Sequence, residues 1–185
     1  SLNSFSKIND DVINVWSQIL NDIPNSRLLL KSSRYFDNSI IRDQFLKNNV
    51  SDKVTFLNRL DFLDINDHLN LYKEIDVALD TFPYNGVTTS FEAIWMGVPV
   101  LTMKGFNFNS RCGESINKNL KLDELVAENE DDYIRKAGEL VNNPEKLISI
   151  KKFIFDNAPS SPLFDVKKHS KNFYENLENI YKTRD

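Results

Sequence analysis

The 185-residue sequence predicts an α/β domain, a parallel sheet flanked by helices with a helical C-terminal part. Three observations predict it. Short apolar runs alternate with helical patterns through the first hundred or so residues. The links between them are short, which is the signature of a parallel sheet covered by its crossover helices. After Ser110 strand patterns stop and helical periodicity takes over.

Each element has its own reason. Asn9, Asp10 and Asp11 supply a cap and first-turn acids, and Val12, Val15, Trp16, Ile19, Leu20 and Ile23 follow at helical spacing. Pro24 and Asn25 stop this helix. Residues 27–31 form a continuous apolar run, read as a strand buried on both faces. A polar turn over 32–38 leads to a helix over 39–48 and then a strand over 53–57. A third helix over 64–74 turns Ile65, Leu69 and Tyr72 inward, and residues 75–80 give a third strand. A loop over 81–87, a helix over 89–96 and a strand over 98–103 complete the alternation. Beyond it, helices are predicted over 109–119, 130–142, 144–156 and 166–182, the last with Phe173, Leu177, Ile180 and Tyr181 on one face. The run over 158–164, rich in Pro and Ser, reads as a stiff extended connector.

Composition removes whole classes of function. A chain that is 41% hydrophobic and 27% charged with 13 Phe is not disordered. No apolar run approaches the ~18 residues of a membrane span, so no membrane association is expected. The opening SLNSFSKIND is polar and does not resemble a secretory leader. A net charge of -4 and a pI near 5.3 argue against a nucleic-acid partner bound through its phosphates. With two histidines, His68 and His169, and one cysteine, Cys112, no ordinary zinc set is available and no metal site is expected. A single cysteine cannot make an internal disulfide, which favours a reducing compartment and a cytoplasmic location. No repeat or long linker divides residues 1–185, which read as one domain. The chain enters its first helix with no preceding strand and lacks an initiator Met, so a fragment of a larger protein is expected.

The five glycines lie at 86, 97, 105, 113 and 138, and none forms a dinucleotide fingerprint, a P-loop or a nucleophile elbow. The informative stretch is DTFPYNGVTTSFE, residues 80–92. It leaves a buried strand, turns through Pro83 and Gly86, and opens a helix at Thr88 and Thr89. Free N–H groups, two hydroxyls and the positive end of a helix dipole suit a phosphate there. The carboxyl end of a strand is also where open α/β sheets bind ligands. The plainer reading makes Thr89 an N-cap and Glu92 its capping-box partner. Likewise, His68 alone reads as a boundary histidine, Lys7 as a solvated surface lysine, and SRCGES at 110–115 as ordinary capping.

The stretch LDTFPYNGVTTSFEAIWMGVPVLTM resembles the donor-site segment of the O-GlcNAc transferase/SPINDLY family of glycosyltransferases. FSKIND, VWSQILNDIPNSRLLL, SRCGES and SSPLFD match it too, in order, so the resemblance covers essentially the whole chain. It implies a Rossmann-like C-terminal lobe of a two-lobed GT-B enzyme, without the N-terminal catalytic lobe and the tetratricopeptide repeats. It implies transfer of a sugar from a UDP-sugar, UDP-GlcNAc in this family, to a protein Ser or Thr hydroxyl. The transfer would be inverting and would need neither metal nor cofactor.

The resemblance also implies roles. Lys7 would stabilise the departing diphosphate and is the catalytic candidate. Thr88 and Thr89 would lie under the pyrophosphate, in the turn that includes Gly86 and Val87. Glu92 would hold the ribose hydroxyls, His68 would pack on the uridine, and backbone at Leu63 would meet the uracil. Val87 stands where animal members have His, and Ile65 where they have a second lysine. The acceptor protein would be engaged through the absent lobe and repeats. Two alternatives stay open: a GT-B enzyme acting on a glycan or small molecule, and a non-catalytic scaffold module beside tetratricopeptide repeats.

Overall fold

The computed structural model describes residues 1–31, 38–57 and 65–183. Helix α1 spans Asp10–Asp22, capped as the sequence predicts, with the Asn9 side chain accepting from the Val12 N–H at 2.9 Å. Its apolar face buries Val12, Trp16 and Ile19 against Leu28, Leu30, Phe45 and Tyr133. Each such side chain contributes roughly 1.5–3 kcal/mol by leaving water.

Strand β1, Leu28–Lys31, pairs in parallel with β2, Val54–Leu57, with Leu28 opposite Val54. Helix α2, Ser39–Lys47, is the crossover between them. A second parallel sheet has the order β3-β4-β5, from Ala78–Leu79, Val100–Met103 and Val126–Ala127. Helices α3 (Ile65–Asn70) and α4 (Thr88–Trp95) precede β3 and β4. Helices α5 (Cys112–Asn119), α6 (Glu130–Asn142), α7 (Pro144–Asn157) and α8 (Val166–Lys182) follow. The expected α/β class with parallel strands and flanking helices is what forms. Among the described residues no helix is long and apolar enough to cross a membrane.

Several expectations are corrected. Strands do not stop after Ser110: Val126 and Ala127 pair with Thr102 and Met103. Two residues inside the polar run LDELVAEN are too short to show a strand period. The predicted third strand shortens to Ala78–Leu79, paired with Val100 and Leu101, and the Asp80 N–H adds one more bond, to Leu101 O. Ile65 is exposed rather than inward, since α3 packs through Tyr72 in the 3₁₀ turn that follows it. The helix expected over 109–119 starts at Cys112, after a 3₁₀ turn at Phe108–Ser110. The connector after α7 begins as a 3₁₀ turn, Ala158–Ser160, rather than as extended chain. Most of the predicted turn over 32–38 lies outside the described residues.

The opening segment is polar in sequence but not on the surface. Ser1, Leu2, Asn3 and Phe5 are buried, and Phe5–Lys7 forms a 3₁₀ turn. This segment bridges the two sheets: Ser1 bonds the carbonyl of Leu29 in β1, and Asn3 bonds the Asp80 carboxylate just after β3.

Candidate functional site

Buried polar groups organise the carboxyl edge of the second sheet. Asp80, directly after β3, is 1% exposed, and Thr81, Asn85 and Thr102 around it are 0% exposed. The Asp80 carboxylate accepts from Asn3 Nδ2 (3.0 Å), Thr81 N (2.9 Å), Gly86 N (2.6 Å) and Thr102 Oγ1 (2.8 Å). Burial raises its pKa to about 6, against the pull of those four donors. One carboxylate thereby ties β3, β4, the N-terminal segment and the 81–87 turn to a single point.

Asn85 extends the network. Its Nδ2 donates to Thr81 O at 2.9 Å, and its Oδ1 accepts from Gly113 N at 3.2 Å, at the start of α5. Its N–H reaches Asn109 O, so the turn is also stitched to the loop after β4. Gly86 is required by close approach: a Cβ there would lie 2.6 Å from Ser90 Oγ and 2.7 Å from Asn3 Oδ1.

Lys7 is brought onto this turn. Its ammonium donates to Asn85 O at 2.8 Å and sits 4.2 Å from the centroid of the Tyr84 ring. It is half-buried and fixed, unlike a freely solvated surface lysine. Just past Gly86, α4 begins with Val87 at the cap position and no side-chain cap. Among the described residues no side chain accepts from its first-turn N–H groups, with Thr88 exposed and Thr89 half-exposed beside them. The positive end of α4 and the Lys7 ammonium flank one turn.

The capping-box reading of Thr89 and Glu92 is overturned. Thr89 lies inside the helix and its hydroxyl donates to Asn3 Oδ1. Glu92 instead accepts from the His68 ring at 2.9 Å and from the Tyr72 hydroxyl at 3.1 Å, both on Oε2. Tyr72 also reaches Thr89 O, and so links the two predicted positions. Burial and then the Glu92 carboxylate push the Tyr72 hydroxyl far above its ordinary pKa, so it stays a donor.

Lys7, Gly86, Val87, Thr88 and Thr89 thus share one turn, and His68 and Glu92 form a bonded pair one helical turn further along α4. Leu63 lies outside the described residues. Sequence reasoning missed Asp80 as the organiser with Asn3, Asn85, Thr102 and Gly113 as its supports, and Tyr72 as a partner of Glu92. The signal available was a carboxylate closing an apolar strand, IDVALD, where burial is costly without partners. At the edge of the site, SRCGES opens α5 with the guanidinium of Arg111 forked on Glu114. That contact, joined by Lys118, lowers the Glu114 pKa to about 2. Among the described residues no group of three or more His, Cys, Asp or Glu is placed to hold a metal ion.

Comparison with known proteins places the same chain in company. The family model described as glycosyl transferase family 41 matches residues 1–173. A tomato (Solanum lycopersicum) protein named probable UDP-N-acetylglucosamine–peptide N-acetylglucosaminyltransferase SPINDLY is 35% identical over 99% of this chain and 19% of its own length. The Caenorhabditis elegans UDP-N-acetylglucosamine–peptide N-acetylglucosaminyltransferase is 28% identical over 98% of this chain and 16% of its own. A mutant of the Thermobaculum terrenum O-GlcNAc transferase superposes with a TM-score of 0.84 at 32% identity, covering 97% of this chain and 34% of that one. The chain therefore spans about a fifth of the length of these curated relatives.

Proposed function

This chain belongs to glycosyl transferase family 41, and on that premise we propose that it is the donor-binding lobe of an inverting, metal-independent transferase using a UDP-sugar. UDP-GlcNAc, the donor in the relatives' names, is the proposed sugar nucleotide, and a protein Ser or Thr hydroxyl the proposed acceptor. The observation that carries the reading is the fixed Lys7 ammonium beside the side-chain-uncapped N-terminus of α4.

In the proposed reaction the acceptor oxygen attacks the anomeric carbon from the face opposite the phosphate. The sugar–phosphate bond breaks and its electron pair leaves on UDP. Charge grows on the diphosphate as that bond opens, and preorganised positive groups stabilise it most in the transition state. Lys7 supplies a full charge and the α4 N–H groups supply dipoles, with the Thr88 and Thr89 hydroxyls as further donors. Glu92 accepts from the ribose, and the ring of His68 lies against the base. Acceptor binding and the general base belong to parts of the protein beyond this lobe.

Calorimetric titration of the 185-residue chain tests the nucleotide assignment. UDP is expected to bind about tenfold more tightly than ADP, a difference near 1.4 kcal/mol. Lys7→Ala is expected to weaken UDP by about tenfold or more, since it removes a charge-assisted bond to phosphate. Equal affinity for UDP and ADP, or undiminished UDP binding by Lys7→Ala, overturns the reading.

A further inference from the structure

Lys31 is the last residue of β1, at the carboxyl edge of the first sheet. Its ammonium lies 2.9 Å from His68 Nδ1 on α3. His68 Nε2 in turn lies 2.9 Å from Glu92 Oε2 on α4. The order of protons along this chain follows from what each group can do. An ammonium only donates, so His68 Nδ1 accepts, and in the neutral ring the hydrogen is left on Nε2. Nε2–H then donates to Glu92. The opposite tautomer would set two donors against each other at Lys31 and two acceptors at Glu92.

Both protein bonds to Glu92 fall on Oε2, from His68 and from Tyr72. Among the described residues none falls on Oε1. Glu92 is 21% exposed at its side chain and His68 12%, so the carboxylate is held through Oε2 and is only partly enclosed.

We infer that Lys31 is a positioning residue for nucleotide recognition: it fixes His68 as the Nε2–H tautomer, and through it aims the free oxygen of Glu92 at the ribose hydroxyls. The inference rests on the ribose role proposed for Glu92 and adds what orients that carboxylate. A carboxylate free to rotate would share its acceptor capacity between both oxygens and water. One clamped on Oε2 presents Oε1, with two lone pairs, in one direction. Preorganisation of this kind strengthens a bond without adding a contact. It also ties the two sheets together at the ligand edge, since Lys31 belongs to the β1-β2 sheet and Glu92 to the helix that feeds β4.

Two measurements on the 185-residue chain test it. The first needs no nucleotide: long-range ¹H–¹⁵N correlation of the histidine rings at neutral pH, with His169→Gln to assign the signals. The wild-type His68 is expected as the Nε2–H tautomer, and Lys31→Met is expected to shift it toward a mixture while Lys31→Arg, which still donates, retains it. A wild-type ring found as Nδ1–H or as imidazolium overturns the inference, as does an unchanged tautomer in a folded Lys31→Met.

The second compares UDP with 2′,3′-dideoxyuridine diphosphate, which lacks both hydroxyls. Wild type is expected to prefer UDP by about tenfold, Lys31→Met to reduce that preference to about threefold or less, and Lys31→Arg to restore it. A Lys31→Met variant that discriminates as well as wild type overturns the inference and leaves the ribose contact standing. A wild-type protein that binds both diphosphates equally removes the ribose contact itself, and the inference with it.

Discussion

At the carboxyl edge of β3 and β4, Asp80, Thr81, Asn85 and Thr102 are at most 1% exposed, whereas along α8 Phe173, Leu177 and Ile180 are 53%, 47% and 58% exposed. Polar groups are inside in the first region and apolar groups outside in the second. The first arrangement is stable because it closes on itself: four donors converge on Asp80, and Asn85 satisfies the turn around it. The second is shaped locally, by amphipathic spacing and by the Asp165 cap, which accepts from the Lys168 N–H. Its anchorage precedes it, where Phe164 packs on Phe91 and Trp95. Burial of polar groups is therefore the mark of the site, and helical periodicity alone is no guide to what a face packs against.

The largest effect expected from this contrast is at Gly113, on the buried side. A Cβ there would lie 2.7 Å from Thr102 Cβ and 2.8 Å from Asp80 Oδ2, both fully enclosed. Neither neighbour has room to withdraw. Gly113→Ala should cost about 3 kcal/mol or more, combining overpacking with damage to a buried hydrogen bond. In a chain of this size that corresponds to a fall in Tm of roughly 10 °C, read by thermal melting. A loss under about 1 kcal/mol would mean that the Asp80 network is loose and organises nothing.

The next effect is carried by Asp80 itself. Its folded pKa is about 6 and the ordinary value is 3.8, so the folded state holds the proton more tightly than the unfolded state. The stabilisation from the protonated form is complete below about pH 4 and is lost as pH rises through about 6. Asp80→Asn has no such proton, and its amide oxygen can keep the bonds from Asn3, Thr81 and Gly86. Denaturant titrations of both proteins should show wild type losing about 2 kcal/mol relative to the variant between pH 4 and pH 7. A constant difference across that range would place the carboxylate in a better-solvated setting than its burial implies.

The same contrast shows what the sequence makes legible. The helices, the first two strands and the α4 segment are readable because apolar spacing and Asn or Asp caps act locally, as at Asn9 and Asp165. Strand β5 is not, because two residues become a strand only when β4 is beside them. Thr88 and Thr89 are legible as a helix start that suits a phosphate, and Lys7, His68 and the ribose role of Glu92 through family likeness, while the bonding of none of them is legible. Glu92 and Thr89 have the spacing of a capping box, and only the third dimension brings His68, Tyr72 and Asn3 to take their polar atoms instead. Asp80 and Lys31 carry no motif. Their importance comes from partners as many as 77 residues away in sequence.

The smallest effect should be found on α8, and its smallness is the test. Leu177 is 47% exposed, so most of the transfer free energy of its side chain has not been gained on folding. Gln has nearly the helix propensity of Leu, so Leu177→Gln changes hydrophobicity without weakening the helix itself. The stability of the 185-residue chain should move by less than about 0.5 kcal/mol. Ile154 on α7 is the control, being 0% exposed, and Ile154→Ala should cost about 2–5 kcal/mol through lost burial and the cavity left behind. Both are read from the same denaturant titration. Leu177→Gln should also lower self-association at high concentration, because it interrupts an exposed apolar stripe shared with Phe173 and Ile180. A Leu177→Gln loss approaching that of Ile154→Ala would show that α8 is packed against the rest of the chain in solution. The two regions would then differ in chemistry alone, with both of them buried.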